Sequence, residues 1–128
     1  MARTLTLNAT YALGDGDNAS SESQGGIFTA ASGLSTVING SAPTGGIEYV
    51  VASYLGASNK AKGVYVENTD ATNYVVVKLG TGSGGGQVAS IRLKAGSMLM
   101  LHDDADAITH IGLTANTAAV SFVLGFCE

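Results

Sequence analysis

From Lys62 to Phe126 apolar and polar residues alternate mostly with a period of two, the spacing of strands that bury one face. The runs are KGVYVENT, NYVVVKLG, VASIRLKAG, SMLMLHD with AITHIGLTA behind it, and TAAVSFVLGF, each bounded by Gly, Asn, Asp or Ser clusters. In the last run Val120, Phe122, Leu124 and Phe126 share a face opposite Ser121, Val123 and Gly125, and the two phenylalanines are the expected core anchors. Ile91, Leu93 and Ala95 read as inward, with Arg92 and Lys94 outward; Val64 and Val66 point one way, Tyr65 and Glu67 the other. The consecutive β-branched residues of VVVKL predict a strand covered on both faces. Upstream, IEYVVASYL places Ile47, Tyr49, Val51 and Leu55 opposite Glu48, Val50, Ala52 and Tyr54, which predicts one strand over residues 47–55. IFTAAS and LSTVI, on either side of Gly33, predict two more, followed by NGSAPTGG as a broad turn around Pro43.

Residues 1–26 differ. A candidate strand, RTLTLNA, runs into GDGDNASSESQGG, which is polar, Gly-rich and aperiodic, and the stretch reads as an N-terminal arm or long loop ahead of a domain over 27–128. It is either a disordered tail or an arm that pairs through Leu5 and Leu7 and orders on a neighbour. With about eight or nine strands, counting the arm, the expected fold is all-β: an antiparallel two-sheet β-sandwich, jelly-roll-like, with an extended N-terminal arm.

Composition sharpens this picture. The 128 residues suffice for one domain, and charged residues are only 12%, with 18 glycines standing where a helical protein would carry Glu, Lys and Gln. So sparse a charged surface predicts that other subunits cover part of it. The six basic residues are scattered and the net charge is −4, which argues against direct binding of nucleic acid. The single cysteine, Cys127, fits synthesis in a reducing cytoplasm and reads as a small apolar side chain beside Phe126, its thiol protonated. The N-terminus does not read as a signal peptide, and no window reaches the ~18 apolar residues that span a bilayer, so no membrane association is expected.

Two motifs invite chemistry. Gly80, Gly82 and Gly85 have G-x-G-x-x-G spacing after a strand, but a phosphate-cradling loop must open a helix, and QVASIRLK continues as a strand. The expectation is a hairpin loop. HDDADAITH gathers His102, Asp103, Asp104, Asp106 and His110, donors suited to Ca²⁺, Mg²⁺ or a transition metal. Its spacing matches no zinc, EF-hand or H-E-x-x-H pattern, and Asp is what a turn requires, so a solvated turn is the reading and neither metal nor cofactor is expected. No nucleophile, base and orienting acid are singled out, so no enzyme is expected. A receptor- or glycan-binding module would place aromatics on loops, and Tyr11, Tyr54, Tyr65 and Tyr74 fall mostly in strands.

Residues 64–126 hold an Asn-containing strand pair, a polar glycine hairpin, an aliphatic strand ending in RLKAG, a short apolar strand and a closing strand rich in Val and Phe. In this they resemble the β-sandwich of small structural proteins from tailed bacteriophage virions. The resemblance implies a non-enzymatic capsid decoration or cement protein, made in the host cytoplasm and carried on the capsid exterior. There it would bridge subunits of the major capsid protein as a homo-oligomer, a trimer by the same resemblance. The alternative is a tail, neck or fibre component with a receptor- or glycan-binding role.

Overall fold

The computed structural model describes residues 4–13, 20–29, 35–80, 87–102 and 108–128. Near the N-terminus β1 (Thr4–Leu13) and β2 (Ser20–Thr29) pair antiparallel in a two-stranded sheet, with Leu5 opposite Phe28 and Leu7 opposite Gly26. Ser20–Gly26, which composition marks as loop, is therefore strand. Strand pairing is satisfied by backbone N–H and C=O groups whatever the side chains, and the polar residues take their conformation from β1. The expected strand at IFTAAS is in part the end of this hairpin.

Eight further strands build the sandwich. They are β3 (Ser35–Ala42), β4 (Ile47–Val50), β5 (Gly63–Asn68), β6 (Val75–Gly80), β7 (Gln87–Leu93), β8 (Met98–His102), β9 (His110–Ala115) and β10 (Val120–Cys127). One antiparallel sheet has the order β3-β10-β5-β8, the other β4-β9-β6-β7. The chain changes sheet at every connection except β6–β7. β3 pairs with β10, β4 with β9, β5 with β8 and β6 with β7, so the domain is one long hairpin rolled on itself, the jelly-roll form of a two-sheet sandwich. β6 and β7 pair directly, with Gly80 in register with Gln87; residues 81–86, where the glycine run falls, lie outside the described residues.

Period-two alternation becomes the core directly. Val64, Val66, Val75, Val77, Ile111, Leu113, Val120, Leu124 and Phe126 are fully buried between the sheets, and Phe122 and Leu93 nearly so. Arg92 and Lys94 are exposed. SMLMLHD and AITHIGLTA are separate strands in opposite sheets, β8 and β9, with Leu99 and Leu101 packed on the core. β6 departs from expectation: Val75, Val77 and Leu79 are buried, but Val76 is half-buried and Lys78 exposed, so one face only is covered. Its β-branched run reflects strand preference rather than burial on both sides.

The strand expected over 47–55 is the main correction within the sandwich. β4 stops at Val50, whose partner His110 is the first residue of β9. Past Val50 no further strand partner occurs among the described residues, and the chain turns into a single helical turn, α1 (Ala52–Leu55), in which Leu55 N–H donates to Val51 C=O at 2.9 Å while Val51 N–H donates to Thr109 C=O at 2.9 Å. Val51 and Leu55 remain buried, because a spacing of four keeps two residues on one face in a strand and in a helix alike.

Candidate interaction surface

Of the residues that sequence marked for metal, the two histidines stand on strands of different sheets. His102 closes β8 opposite Gly63 in the first sheet, whereas His110 opens β9 between Val50 and Gly80 in the second. Asp103, Asp104 and Asp106 lie outside the described residues. His110 Nδ1 is 2.7 Å from Thr109 Oγ1, and among the described residues no group of three or more His, Cys, Asp or Glu side chains is placed to hold a metal. Residues 81–86 of the glycine run lie outside the described residues, and Gln87–Leu93 after them is the strand β7, not a helix whose N-terminus could receive a phosphate. Cys127 is buried, and burial pushes its thiol up, a shift that a hydrogen bond to Gly63 backbone partly offsets. Among the described residues no helix is long and apolar enough to cross a membrane.

Nor do the described tyrosines form a common binding wall. Tyr54 lies on α1 and packs against Phe126 (centroids 5.8 Å apart) and Tyr49 (6.0 Å). Tyr74, just before β6, lies under the Arg92 guanidinium, 4.4 Å from ring centre to Cζ, and Tyr65 is on β5. Tyr11 lies in β1.

The register instead reveals two outer faces of unlike character. On the second sheet, Glu48, Gly112, Lys78 and Ser90 form one cross-strand row and Thr114, Val76 and Arg92 another, a polar face carrying both signs of charge. On the first sheet the rows are Ser35–Cys127–Gly63–His102, Val37–Gly125–Tyr65–Met100, Asn39–Val123–Glu67–Met98 and Ser41–Ser121. Val37 is 67% exposed and Met98 55%. In these rows Glu67 is the only carboxylate, no Lys or Arg occurs, and the Tyr65 hydroxyl donates to the Glu67 Oε2 at 2.5 Å. Burial, then that hydrogen bond and the carboxylate's charge, push the Tyr65 hydroxyl up to about 12. The sheet thus offers water small, aliphatic and thioether side chains around one hydrogen-bonded carboxylate. Exposed apolar area with few charges suits a protein contact.

One feature went unmarked in the sequence reading. Asn68, at the end of β5, is wholly buried yet saturated: its Nδ2 donates to Asn73 C=O (2.9 Å) and Leu93 C=O (3.0 Å), and its Oδ1 accepts from Asp70 N–H (3.0 Å). Its backbone N–H donates to Ser97 C=O (2.9 Å), and its C=O accepts from Gly96 N–H (3.0 Å). One amide therefore ties the β5–β6 turn to the β7–β8 turn. Thr117 Oγ1 adds the β9–β10 turn through Asn73 Oδ1 at 2.9 Å. The only sequence signal was an Asn at a strand end, which also suits an exposed turn. This end of the sandwich is a structural clamp.

The first sheet's apolar-rich face is thus the described surface best suited to a protein contact. No protein-family model, curated protein or solved structure matches the chain, so its role rests on its own residues.

Proposed function

We propose that this chain is a non-enzymatic virion structural protein of the capsid decoration kind, which self-associates and stabilises a capsid by bridging subunits of the major capsid protein. The observation that carries the assembly role is the open face of the first sheet, with Val37 and Met98 exposed and its one carboxylate already bonded to Tyr65. Burying the Val37 side of such a face against a protein removes apolar area from water, and Glu67 keeps its carboxylate hydrated if it stays at the edge of the contact. The capsid as partner, the exterior position and the trimer rest on the sequence resemblance. The role needs no catalytic residue and no cofactor. Leu5 and Leu7 of β1 are the residues proposed to reach a partner.

The test is co-sedimentation of the purified chain with capsids lacking it, followed by heat challenge of the particles. Saturable binding and a raised temperature of particle disruption are expected. A Leu5→Ser/Leu7→Ser chain should bind more weakly while keeping its strand spectrum. Failure of the unaltered chain to bind capsids would overturn the decoration role and favour a tail, neck or fibre component, to be tested next on host-cell glycans.

A further inference from the structure

We infer that the open edge of β3 pairs antiparallel with the β3 edge of a second copy of this chain, about a two-fold axis at Ile38, so that the first sheets of the two copies run on as one. The two four-stranded sheets end on four strands, β3 and β8 in the first and β4 and β7 in the second. Proteins keep such edges from pairing with other chains by making them short or by placing charge, proline or a bulge on them. β4 has four residues and carries Glu48, β7 carries Arg92, and β8 has five residues and runs in sequence into Asp103 and Asp104. β3 has eight residues, STVINGSA, with no charge and no proline, and its register with β10 runs from Ser35 to Ala42 without a shift. Of the four edges, β3 alone lacks every such device.

The hydrogen bonds of β10 show which backbone groups that edge presents. Ser121 C=O accepts from Thr69 N–H at 3.0 Å and Cys127 C=O from Lys62 N–H at 2.8 Å, so the odd-numbered residues of β10 turn their backbone groups towards β5. The even-numbered ones turn theirs to β3, where Phe122, Leu124 and Phe126 stand in register with Gly40, Ile38 and Thr36. Ser35, Val37, Asn39 and Ser41 therefore direct N–H and C=O out of the sheet. β1 and β2 pair with each other and not with β3. α1 lies beside β3, but the amides of Tyr54 and Leu55 donate to Val51 C=O within the turn.

The occupant these groups match is the same strand inverted. An antiparallel ladder between identical strands has a two-fold axis, the symmetry of an isologous contact. With the axis at Ile38, Ser35 stands opposite Ser41 of the second copy and Val37 opposite Asn39 of the second copy. All four outward residues then fall in hydrogen-bonded pairs, each exchanging two bonds. Moving the axis by one residue sets Ser41 opposite Gly33, outside β3, or Ser35 opposite Pro43, which has no N–H. Ile38, half-buried and packed on the core, meets Ile38 of the second copy, so the two cores gain cover where each sheet ended. A strand without charge sets no like charges across the axis, the cost that a charged edge imposes on self-pairing.

The contact closes a pair by itself, and it joins trimers into six where a threefold contact is also made. It deepens the self-association proposed above without depending on capsid binding. A chain that pairs through β3 and ignores capsids keeps this inference and loses that reading; one that binds capsids as a monomer does the reverse.

Sedimentation velocity on the full-length chain tests it. The unaltered chain should sediment as a pair or another even-numbered assembly. Asn39→Pro removes an outward N–H that the sandwich does not use, so it should keep the far-ultraviolet spectrum and raise the dissociation constant about tenfold or more. Val37→Lys, which sets an ammonium group on each side of the axis, should do the same and serves should Asn39→Pro fail to fold. Lys78→Ala, on the second sheet's outer face, should leave assembly as it is. Mixing tests the register: Val37→Lys in one chain stands opposite Asn39→Glu in the other, so a mixed pair should form although each variant alone pairs weakly. A monomeric unaltered chain, an assembly of three, edge variants that assemble undiminished, or a charged mixture that does not pair would each overturn the inference.

Discussion

Gly40 and Phe122 face each other across β3 and β10, and a methyl added to Gly40 would come 2.7 Å from Phe122 Cζ. The bare glycine lets a buried ring lie across the neighbouring strand, a cross-strand aromatic–glycine pair. Gly40→Ala should therefore destabilise by about 1–3 kcal/mol through overpacking, and Phe122→Ala by about 3–5 kcal/mol through the cavity it leaves. In the double variant the clash has no object, so chemical denaturation should show a total cost well below the sum. Lys94→Ala, at an exposed position, should change stability by no more than about 0.5 kcal/mol. A second residue-scale prediction concerns Asp70, whose carboxylate accepts the amides of Asn73 (2.6 Å) and Thr72 (2.8 Å), which hold it below its ordinary 3.8. Because the folded value is the lower one, its contribution is complete above the unfolded value and is lost as pH falls through the folded one. Asp70→Ala should be less stable than the unaltered chain at neutral pH, and denaturation curves should show the gap closing as pH drops below about 4. Neither pairing is readable from sequence. Gly40 and Phe122 are 82 positions apart along the chain, 122 less 40, and meet only once β3 and β10 are in register.

At the scale of elements, strands were legible wherever inward and outward residues differ in polarity, as in β5, β7 and β10, because a half-buried strand imposes its period on its composition. The end of β4 was not. Tyr49, Val51 and Leu55 fit a continued strand, and a spacing of four between the last two fits a helix equally well. The arbiter is the neighbour: β9 begins at His110, and beyond it β4 has no strand to pair with among the described residues. The helical turn then ends at Gly56, with φ 96° and ψ 157°, a conformation that side chains rarely adopt. An alanine Cβ there would meet only Asn59 Nδ2, at 3.4 Å, so space is adequate and the backbone is the obstacle. Gly56→Ala should cost about 1–3 kcal/mol in thermal or chemical unfolding, with no change in strand content.

Across the whole molecule, the pairing of the sandwich's first strand with its last sets how it folds. β3–β10 and β4–β9 join residues far apart in sequence, so the entropy of closing long loops is met before the core rewards it. Refolding from denaturant should be slow for a chain of this size, with relaxation times in the range of about milliseconds to seconds, and the far-ultraviolet spectrum should be that of a strand protein. Refolding in microseconds, or a dominant helical signal, would contradict the architecture. The same nesting segregates charge between the outer faces, because it sets which strands lie side by side: β4, β9, β6 and β7 bring Glu48, Lys78 and Arg92 to one surface, while β3, β10 and β8 bring Val37, Val123 and Met98 to the other.

The sequence by itself determined that the chain would be strands and tight turns, that Phe122 and Phe126 would lie inside, and that QVASIRL after the glycine run would be a strand. These are local consequences of side-chain alternation and turn chemistry, which each segment carries without reference to the rest. Only tertiary structure decided the nested pairing, the end of β4, the pairing of Ser20–Gly26 and the three-turn clamp at Asn68, since each depends on which distant backbone or carbonyl group lies alongside. It likewise placed His102 and His110 in opposite sheets and assembled the apolar-rich face from four strands, none of which reads as an interaction surface alone. Register is a property of pairs of strands, and a single segment does not contain it.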